Sequence, residues 1–590
     1  MKQLMTGNEA IARGAWEAGV LVCTAYPGTP STEITENAAR YEQIYAEWSP
    51  NEKVALEVGL GASIAGGRAL VAMKHVGVNV AADPLFTAAY TGVTGGLVLV
   101  SADDPGMHSS QNEQDNRHLA RAAKIPVLEP ADSQEAKDFT KYAFALSEEY
   151  DTPVMLRITT RVAHSQSLVE LGEREERTLA PYVKNSHKYV MIPAYARPRH
   201  TAVEARLTAL GHLAETTPLN RVEWGDRSIG VVTGGIAYQY LKEVRPEVSV
   251  LKLGLSYPLP RQKITEFARS VTRLYVAEEL EDFWESQLRA WGLDVCGKEI
   301  FPRTGELQPE IVAAALAAPL GHSPASLEHS PTPPTPPAAA LEAPARPPVL
   351  CPGCPHRALF YVLRKMRLVV AGDIGCYTLG CLEPLDSVDT TICMGASIGT
   401  AIGMEKTRGR EFGRRLVAVI GDSTFIHSGV TGLIDAVYNN APITLLILDN
   451  RTTGMTGHQD NPVTGRTLQG EAYREIDLTR LCRAVGVDRV TTVDPFDLKL
   501  LEQTIRAELA AEEPSVIITR RKCALIDREA VRPPLRVERD KCTQCLRCMR
   551  LGCPCLALRE GETVIDAQCT GCGLCARVCA AGAIGEAGEQ

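Results

Sequence analysis

The chain is poor in aromatic residues and has no long basic run. Phe, Trp and Tyr make up 5% of its 590 residues, and 62 Lys and Arg stand against 71 Asp and Glu, a net charge of −9. Proteins that bind nucleic acid commonly carry basic stretches with interleaved aromatics, so we expect no nucleic-acid partner. Hydrophobic residues still make up 45% of the chain, which is enough to bury several cores and excludes global disorder.

The chain also lacks segments that would direct it to or through a membrane. Its first residues contain no apolar stretch of signal-peptide type. The longest apolar region, from Ala69 to Val100, is interrupted by Lys74, His75 and Asp83, which a membrane-spanning helix would carry only at a high energetic cost. We therefore expect a cytoplasmic protein without a membrane partner.

The 18 cysteines require an explanation other than disulfide bonds, which are rare in the reducing cytoplasm. Nine of them lie beyond residue 540, in two runs of C-x2-C-x2-C that are each followed by a further cysteine. This is the spacing of bacterial two-cluster ferredoxins, in which the last cysteine of each run binds the cluster of the other run. The sequence therefore predicts two [4Fe-4S] clusters, one held by Cys542, Cys545, Cys548 and Cys579 and the other by Cys553, Cys569, Cys572 and Cys575.

Two alternatives to this assignment stay open. Zinc ribbons also use C-x2-C pairs, although they do not use two triplets that are each followed by a fourth cysteine. The first run has four residues before its last cysteine instead of three, and Cys555 offers a competing thiol. If Cys555 binds iron, the assignment of Cys553 fails.

The chain is long enough for about four domains at about 150 residues each. Apolar, β-rich runs alternate with helical stretches on both sides of a proline-rich segment, a pattern typical of parallel βαβ units. The proline-rich segment has little to bury and is predicted to be a linker. We predict α/β domains over residues 1–185, 186–318 and 349–530, a linker over 319–348 and a cysteine-rich domain over 531–590.

Polar residues follow two neighbouring predicted strands of the third α/β domain. RLVAVI leads into Gly421-Asp422-Ser423, and ITLLILD ends at Asn450. A right-handed crossover would place Asp422 and Asn450 side by side at the carboxyl edge of the sheet. A carboxylate, an amide oxygen and a carbonyl such as that of Thr452 suit Mg²⁺ and leave positions open for two diphosphate oxygens. The alternative is that both are turn residues that merely end their strands.

Five motifs add a family resemblance to this pattern. They are CPGCPHR (351–357), DIGC (373–376), MGASIG (394–399), GDSTF (421–425) and GMTGHQ (454–459). In this order they resemble the thiamine domain of 2-oxoacid:ferredoxin oxidoreductases, and they are most similar to the large (alpha) subunits of the indolepyruvate-type members. The resemblance extends over essentially the full chain, although Ser423 stands where the general thiamine motif has glycine.

The resemblance implies an α/β fold class with several doubly wound parallel-sheet domains. Two would be thiamine-diphosphate-binding folds and one transketolase-C-terminal-like, followed by a C-terminal two-cluster ferredoxin-like domain. The implied cofactors are thiamine diphosphate and Mg²⁺. The residues that would bind them are Gly421, Asp422, Ser423, Asn450, Thr452, Met394 and Gly395.

The resemblance also suggests residues on the pyrimidine side of the cofactor, where a carboxyl group must hydrogen-bond the ring. Glu57, in ALEVGLGASIAGG, matches the family's glutamate, and its apolar neighbours would raise its pKa. YPGTPSTE (26–33) resembles the turn near the substrate, so Thr29 and Ser31 are candidates for polar contacts. A solvent-facing glutamate and an ordinary turn with a helix cap are the alternatives.

A third cluster is a further hypothesis. Cys351, Cys354, Cys376 and Cys523 match by position the cysteines that hold a proximal [4Fe-4S] cluster in pyruvate-type relatives. Such a cluster would lie between the thiamine site and the C-terminal clusters. Buried, reduced cysteines are the alternative, since cysteine is often found in protein interiors.

The function implied by the resemblance is thiamine-dependent oxidative decarboxylation of an aryl 2-oxoacid. Coenzyme A would take up the acyl group, and the clusters would pass electrons singly to an external ferredoxin. We expect a hetero-oligomer with a smaller beta subunit, which handles coenzyme A in this family. The alternatives are another 2-oxoacid:ferredoxin oxidoreductase such as the pyruvate type, a non-oxidative thiamine enzyme, and a non-catalytic iron–sulfur electron-transfer subunit.

Overall fold

The structure is a computed structural model that describes residues 1–179, 182–317 and 348–586. The chain divides into two compact units, Met1–Ala340 and Leu341–Gln590. The predicted proline-rich linker, 319–348, lies outside the described residues except for its last position. Within the described ranges, no helix combines the length and the apolar character that crossing a membrane requires.

Strands and helices alternate through the first part of the first unit. In chain order the elements are β1 (Lys2–Thr6), α1 (Gly7–Glu17), β2 (Val22–Ala25), α2 (Thr32–Ala38), β3 (Tyr45–Trp48), α3 (Glu52–Ile64), β4 (Ala69–Lys74), α4 (His75–Val80), α5 (Ala82–Thr91), β5 (Leu97–Asp103), α6 (Arg117–Ala123), β6 (Val127–Leu128), α7 (Ser133–Glu149), β7 (Val154–Thr159), α8 (Thr160–His164) and β8 (Gln166–Glu170). Strands β6, β7, β5, β4, β2 and β3 form a parallel sheet in that order, and β1 pairs with β8 in antiparallel fashion. The wholly buried strands β4, β5 and β7 form the centre of this sheet.

The second part of this unit adds a smaller sheet. Its elements are α9 (Ser186–Tyr189), α10 (Pro193–Thr216), β9 (Arg221–Glu223), β10 (Asp226–Thr233), α11 (Gly235–Val244), β11 (Val248–Lys252), β12 (Leu255–Tyr257), α12 (Arg261–Arg269), β13 (Arg273–Ala277), α13 (Phe283–Ala290) and α14 (Pro309–Ala317). The strand order is β13-β10-β11-β9, with β9 as the antiparallel edge. Strand β12 instead pairs with β6, which extends the first sheet to seven strands.

Two buried arginines lie in the first part of this unit, and Arg117 joins it to the second part. Arg157, on β7, donates from Nε to Asp103 Oδ2 and from Nη1 to Glu129 Oε2, each at 2.7 Å. Arg117 donates from Nη1 to Glu278 Oε2 at 2.8 Å, which reaches the second part of the unit. Each arginine and its carboxylates compensate one another's charge away from water, so removing one partner leaves a buried charge unpaired.

The second unit begins with another α/β layer. Its elements are α15 (Pro355–Met366), β14 (Val369–Ala371), a 3₁₀ turn (Cys376–Cys381), α16 (Ala396–Arg408), α17 (Arg410–Gly413), β15 (Leu416–Gly421), α18 (Asp422–Thr424), a π-helical turn (Phe425–Gly429), α19 (Val430–Tyr438), β16 (Thr444–Asp449), α20 (Leu478–Ala484), β17 (Arg489–Val493), α21 (Leu498–Leu509) and β18 (Ser515–Arg520). The five strands are all parallel, in the order β14-β15-β16-β18-β17. Ligands of such sheets bind at the carboxyl ends of the strands.

The C-terminal segment of this unit is small and rich in loops. It contains 3₁₀ turns (Arg528–Ala530 and Cys548–Leu551), β19 (Leu535–Val537), β20 (Leu556–Arg559), β21 (Glu562–Ile565), α22 (Leu574–Val578) and β22 (Ile584–Glu586). The strands form two antiparallel pairs, β19 with β22 and β20 with β21. Its apolar residues pack into one cluster with Ala358 of α15 and with Phe496, so the segment has a shared core with the α/β layer.

The predicted alternation of strands and helices around parallel sheets is confirmed. The nearly continuous apolar runs became central strands because helices cover such sheets on both faces. Strands β1 and β8 were missed because each buries only one residue, so neither has a clear apolar pattern. The domain boundaries and the ferredoxin-like character of the C-terminal segment stay predictions.

Candidate cofactor and cluster sites

The two predicted magnesium ligands end neighbouring strands of the second unit. Asp422 directly follows β15 and Asn450 directly follows β16, and the strands pair with Gly421 opposite Leu448. Both side chains are buried, as is Thr452, whose N–H donates to Asn450 Oδ1 at 3.3 Å. The parallel crossover therefore brings the three predicted residues to one edge of the sheet.

At this edge of the sheet, some buried carboxylate oxygens have no positively charged group paired with them in the part of the chain that the structure describes. Burial and the nearby Asp449 carboxylate raise the pKa of Asp422 to about 8. Asp449 Oδ2 accepts from Arg520 Nε at 2.7 Å, whereas its Oδ1 is buried and has no hydrogen-bond partner among the described residues. No three His, Cys, Asp or Glu side chains in the described ranges form a ready single-ion site, the predicted cluster cysteines included, and magnesium here would use the carboxylate of Asp422 alone among these types. The oxygen-rich, electron-rich edge fits a hard divalent cation.

A buried carboxylate fixes the loop before α16. Asp373 accepts hydrogen bonds from the N–H groups of Gly395 at 2.8 Å and Ser397 at 2.9 Å. Gly395 has a φ of 88°, and a Cβ there would lie 2.5 Å from Cβ of Ser428, so only glycine fits. Met394 is half-buried just before this turn. The loop therefore has one conformation at the N-terminus of a 13-residue helix, where the Asp373 carboxylate already occupies two of the backbone N–H groups.

The GDS turn is constrained on two sides. A Cβ on Gly421 would lie 2.7 Å from the ring of Tyr377, whose hydroxyl donates to the carbonyl oxygen of Ile374 at 2.7 Å. Ser423, where the general motif has glycine, accepts a hydrogen bond at Oγ from Thr453 Oγ1 at 3.0 Å. This serine therefore joins the turn to the loop that follows Asn450.

Sequence reasoning missed two features of this site. The π-helical turn Phe425–Gly429 directly follows α18, and such turns are frequent at functional sites. His356 is buried in the first turn of α15, and burial lowers its pKa to about 4, so the ring is neutral at neutral pH. Its Nε2 lies 3.4 Å from Asn450 Nδ2 and can accept from that amide, which leaves Asn450 Oδ1 for other ligands. The CPGCPHR motif was the signal for His356.

The four cysteines of the hypothetical third cluster are neighbours in the second unit. Burial raises the pKa of Cys376 to about 11, with contributions from the thiols of Cys523 and Cys351. Burial likewise raises the pKa of Cys354 to about 12, with contributions from Cys351 and Cys376. The N–H of Cys523 donates to the carbonyl oxygen of Asn450 at 3.0 Å, which ties this distant cysteine to the predicted magnesium edge.

The first predicted group of C-terminal cysteines includes members of both runs. Burial raises the pKa of Cys548, and the nearby thiols of Cys579 and Cys542 raise it further. Cys579 Sγ also accepts from the N–H of Ala583 at 3.3 Å. Cys545 is exposed, and N–H donation from Arg547 lowers its pKa. Cys579 of the second run therefore lies with the first run, as the ferredoxin spacing predicts.

The second predicted group likewise combines cysteines of both runs, with Cys553 of the first run beside those of the second. Burial raises the pKa of Cys575 to about 12, with contributions from the thiols of Cys572, Cys553 and Cys569. Cys569 Sγ accepts from the N–H of Gly571 at 3.4 Å. Hydrogen bonds of this kind to sulfur are common around iron–sulfur clusters.

The second group surrounds an enclosed space that we call the cysteine cavity. Its wall is formed by Pro352, Gly353, Cys354, Arg357, Leu535, Leu551, Cys553, Cys555, Leu556, Ile565, Cys569, Thr570, Cys572, Gly573, Leu574 and Cys575. The four cysteines of the second group share this wall with Cys354 and Cys555, and the rest of the wall is mostly apolar, which fits an iron–sulfur cluster. Cys555 is also buried in this wall, and burial raises its pKa to about 12 with a contribution from Cys553, so the choice between Cys553 and Cys555 stays open.

In the first unit, the expectation of a buried Glu57 is wrong. The side chain of Glu57 is 44% exposed and forms an ion pair with Lys53 one turn earlier on α3. The residues that α3 buries, among them Glu52, Ala55 and Gly59, lie on one stripe at helical spacing, and Glu57 falls outside it. Apolar neighbours in sequence did not bury Glu57 because its side chain points away from that stripe.

The buried glutamate of α3 is Glu52, which is 5% exposed. A Cβ on Gly77, in the first turn of α4, would lie 2.7 Å from Cγ and Oε1 of Glu52, so the carboxyl group packs directly on that glycine. Glu52 thus lies at the carboxyl end of β4, where α/β sheets bind ligands.

The turn that contains Thr29 and Ser31 lies at the same strand end. A Cβ on Gly28 would lie 3.2 Å from Cβ of Lys74, the last residue of β4. Ser31 is buried, and its hydroxyl donates to the carbonyl oxygen of Gly28 at 2.8 Å, as in an ordinary turn. Thr29 is half-buried and stays a candidate for a polar contact.

Comparison with known families defines the class of protein. Residues 373–519 match the family "Thiamine pyrophosphate enzyme, C-terminal TPP binding domain". Residues 13–211 match "Pyruvate flavodoxin/ferredoxin oxidoreductase, thiamine diP-bdg". The chain is thus an oxidoreductase of the thiamine-diphosphate-binding class, and the prediction of two thiamine-binding domains is confirmed.

Full-length relatives define the family. The chain is 43% identical to "Indolepyruvate oxidoreductase subunit IorA" of Archaeoglobus fulgidus, over 98% of this chain and 96% of that protein. It is 42% identical to the subunit of the same name from Pyrococcus horikoshii, over 99% and 96%. The chain belongs to the IorA family, as the motifs predict. A solved 2-oxoglutarate:ferredoxin oxidoreductase chain from Magnetococcus marinus is 18% identical, with a TM-score of 0.46 over 54% of this chain and 65% of that one.

Proposed function

We propose that this chain is the large subunit of a two-subunit indolepyruvate:ferredoxin oxidoreductase. The reaction converts indolepyruvate and coenzyme A to indoleacetyl-CoA, CO₂ and a proton, and its two electrons pass one at a time to oxidised ferredoxin. The observation that carries the proposal is that one compact unit combines the Asp422 and Asn450 edge with the three groups of cysteines. Membership of the IorA family over nearly the whole length supports the aryl 2-oxoacid as substrate.

Residues of the second unit would hold the diphosphate end of the cofactor. Asp422, Asn450 and the carbonyl of Thr452 would bind Mg²⁺, and the Gly395 turn at the start of α16, held by Asp373, would lie beside the diphosphate. His356 keeps the oxygen of Asn450 turned toward the ion by accepting from its amide nitrogen. Thiamine diphosphate, when bound, supplies the electron sink for decarboxylation.

Glu52, rather than Glu57, would supply the carboxyl group for the pyrimidine ring. It is the buried glutamate of α3, and its carboxyl group is fixed against Gly77 at the carboxyl end of β4. A carboxyl group held away from water can share a proton with a ring nitrogen, whereas an exposed one that pairs with lysine cannot do so selectively. Thr29, half-buried in the turn beside Lys74, is the candidate for contact with the substrate.

The cysteine groups would receive the electrons. Each [4Fe-4S] cluster accepts one electron at a time, so two or more clusters suit a two-electron oxidation. The groups of Cys548 and Cys575 would hold the two C-terminal clusters. Cys351, Cys354, Cys376 and Cys523 would hold a third, close to the magnesium edge. A smaller beta subunit that handles coenzyme A and an external ferredoxin complete the proposed system.

The test is anaerobic, coenzyme A-dependent reduction of a viologen dye by the purified two-subunit complex. Indolepyruvate, phenylpyruvate and pyruvate are compared at equal concentrations. We expect the aryl substrates to give the higher kcat/KM and activity to require coenzyme A. A preference for pyruvate would contradict the aryl assignment, and a complex that contains clusters but reduces the dye with none of the three would contradict the proposed reaction.

A further inference from the structure

Arg357 lies in the first turn of α15 and is 3% exposed. Its guanidinium group donates to four carbonyl oxygens in two different segments. Nη2 donates to the carbonyl oxygens of Leu350 and Cys351, in the loop that carries the CPGC cysteines. Nη1 donates to those of Leu551 at 2.8 Å and Gly552 at 2.5 Å, in the C-terminal cysteine-rich segment. One buried side chain thus joins the two segments.

The same guanidinium group lies in the wall of the cysteine cavity. Among the described residues of that wall, Arg357 is the one with a charged nitrogen. Its Nε is buried and has no hydrogen-bond partner in the described part of the chain. The same wall contains Cys354 of the CPGC loop and Cys572 of the C-terminal segment, so the positive charge lies beside a cysteine of each segment.

The backbone of the CPGC loop allows the loop to approach the C-terminal segment closely. Gly353, between the two cysteines of CPGC, has a φ of 73°, and a Cβ there would lie 2.7 Å from Thr570 Oγ1 and 3.7 Å from Cβ of Cys572. At Gly552, whose φ is 62°, a Cβ would lie 2.6 Å from Cδ of Pro384 and 3.5 Å, an ordinary contact, from Nη1 of Arg357. Glycine at position 353 therefore lets the CPGC loop and the C-terminal segment pack directly on each other.

We propose that Arg357 is a positioning residue for electron transfer. It holds the C-terminal segment against the CPGC loop and provides a buried positive charge beside the cluster in the cysteine cavity. The inference rests on the proposed function, because it requires that Cys553, Cys569, Cys572 and Cys575 hold a [4Fe-4S] cluster.

The charge has a direct consequence for that cluster. Reduction adds one electron and makes the cluster more negative by one charge. A cation in a dry wall favours the more negative, reduced form, because the interaction is weakly screened there. The free Nε–H group would add a hydrogen bond to cluster sulfur, which acts in the same direction. Arg357 therefore makes this cluster easier to reduce than an equivalent apolar wall would.

The test is a redox titration of the purified anaerobic two-subunit complex, followed by electron paramagnetic resonance. Arg357→Met removes the charge and the hydrogen bonds, and Arg357→Lys keeps the charge but loses the planar fork of donors. Arg364→Met, on the exposed side of the same helix, is the matched control because it removes a positive charge that pairs with the exposed carboxylates of Glu383 and Asp386. Iron and sulfide content and limited proteolysis are measured for each variant.

In Arg357→Met, we expect the midpoint potential of one [4Fe-4S] cluster to become more negative and the C-terminal segment to be cleaved faster. The potential of the cluster assigned to Cys542, Cys545, Cys548 and Cys579 should stay unchanged as an internal reference. In Arg357→Lys, the potential of the cluster in the cysteine cavity should stay close to that of the wild type, while the C-terminal segment is cleaved faster. If Arg357→Met does not fold, Arg357→Lys is the variant that tests the proposal. Arg364→Met should match the wild type in both measurements.

Unchanged potentials in an Arg357→Met complex with full iron content would overturn the role of the charge. An unchanged rate of cleavage of the C-terminal segment in both Arg357 variants would show that Arg357 does not hold this segment in place. A wild-type complex without clusters would instead refute the proposed function, so the two failures are distinguishable.

Discussion

The two glutamates of α3 give the sharpest test of the pyrimidine site. Glu52→Gln keeps the size of a buried side chain and removes its acid group, and Glu57→Gln makes the same change on the exposed side of the helix. If Glu52 promotes proton transfer on the cofactor, turnover should fall by a factor of about 10² to 10⁴. An exposed ion pair one turn apart contributes little to stability because water screens it, so Glu57→Gln should leave both turnover and stability nearly unchanged.

Gly77→Ala extends this test without touching either glutamate. The added methyl group would lie 2.7 Å from the carboxyl end of Glu52, so the glutamate or α4 must shift. We expect a partial loss of turnover while thiamine diphosphate still binds.

The assay is anaerobic viologen reduction by the reconstituted complex, with bound thiamine and iron measured for each variant and thermal unfolding as the control for folding. The reasoning would be refuted if Glu57→Gln abolished turnover with its cofactors bound while Glu52→Gln remained active. Equal loss in both variants would show that burial within α3 does not identify the functional carboxyl group.

Four further results are expected. Arg157→Met leaves two buried carboxylates without their cation and should lower the free energy of unfolding by about 3–5 kcal/mol, measured by urea titration. Burial raises the pKa of Glu279 from 4.5 to about 7, so its charged form destabilises the fold and stability falls as pH rises through that range. Between pH 4.5 and 7, the free energy of unfolding of Glu279→Gln should therefore rise by about 3 kcal/mol relative to that of the wild type. A difference between the two proteins that does not change with pH would contradict this. Gly421→Ala would force a methyl group to 2.7 Å from the Tyr377 ring and should weaken thiamine diphosphate binding, measured by calorimetry. Cys553→Ser should lose the iron of one cluster while Cys555→Ser keeps it, and the opposite iron contents would reverse that assignment.

The sequence was most informative where chemistry and periodicity coincide. Strands β15 and β16 were readable because both faces of a central parallel strand are apolar, and Asp422 and Asn450 then follow from the topology of the crossover. The two cysteine runs are equally distinct in the sequence, because the ligand spacing of a cluster is set by the local backbone. That they hold clusters stays a prediction, and the position of Cys579 near the first run is the one that the ferredoxin pattern requires.

The sequence was least informative where a side chain acts through distant contacts or through one face of a helix. Glu57 lies in an apolar stretch, yet the face of α3 decides burial, and that face selects Glu52. His356 meets Asn450 across 94 residues, and Arg357 meets Leu551 across 194. Neither contact leaves a local pattern, so the motif that contains both residues indicated importance without revealing the two roles.

The central claim is that electrons from a 2-oxoacid reach iron–sulfur clusters within this chain. The most direct measurement is electron paramagnetic resonance of the anaerobic two-subunit complex, frozen after mixing with indolepyruvate and coenzyme A in the absence of ferredoxin. We predict a signal from reduced [4Fe-4S] clusters that is absent in Asp422→Ala, although dithionite still reduces the clusters of that variant. Wild-type clusters that dithionite reduces but indolepyruvate and coenzyme A leave oxidised would contradict the account.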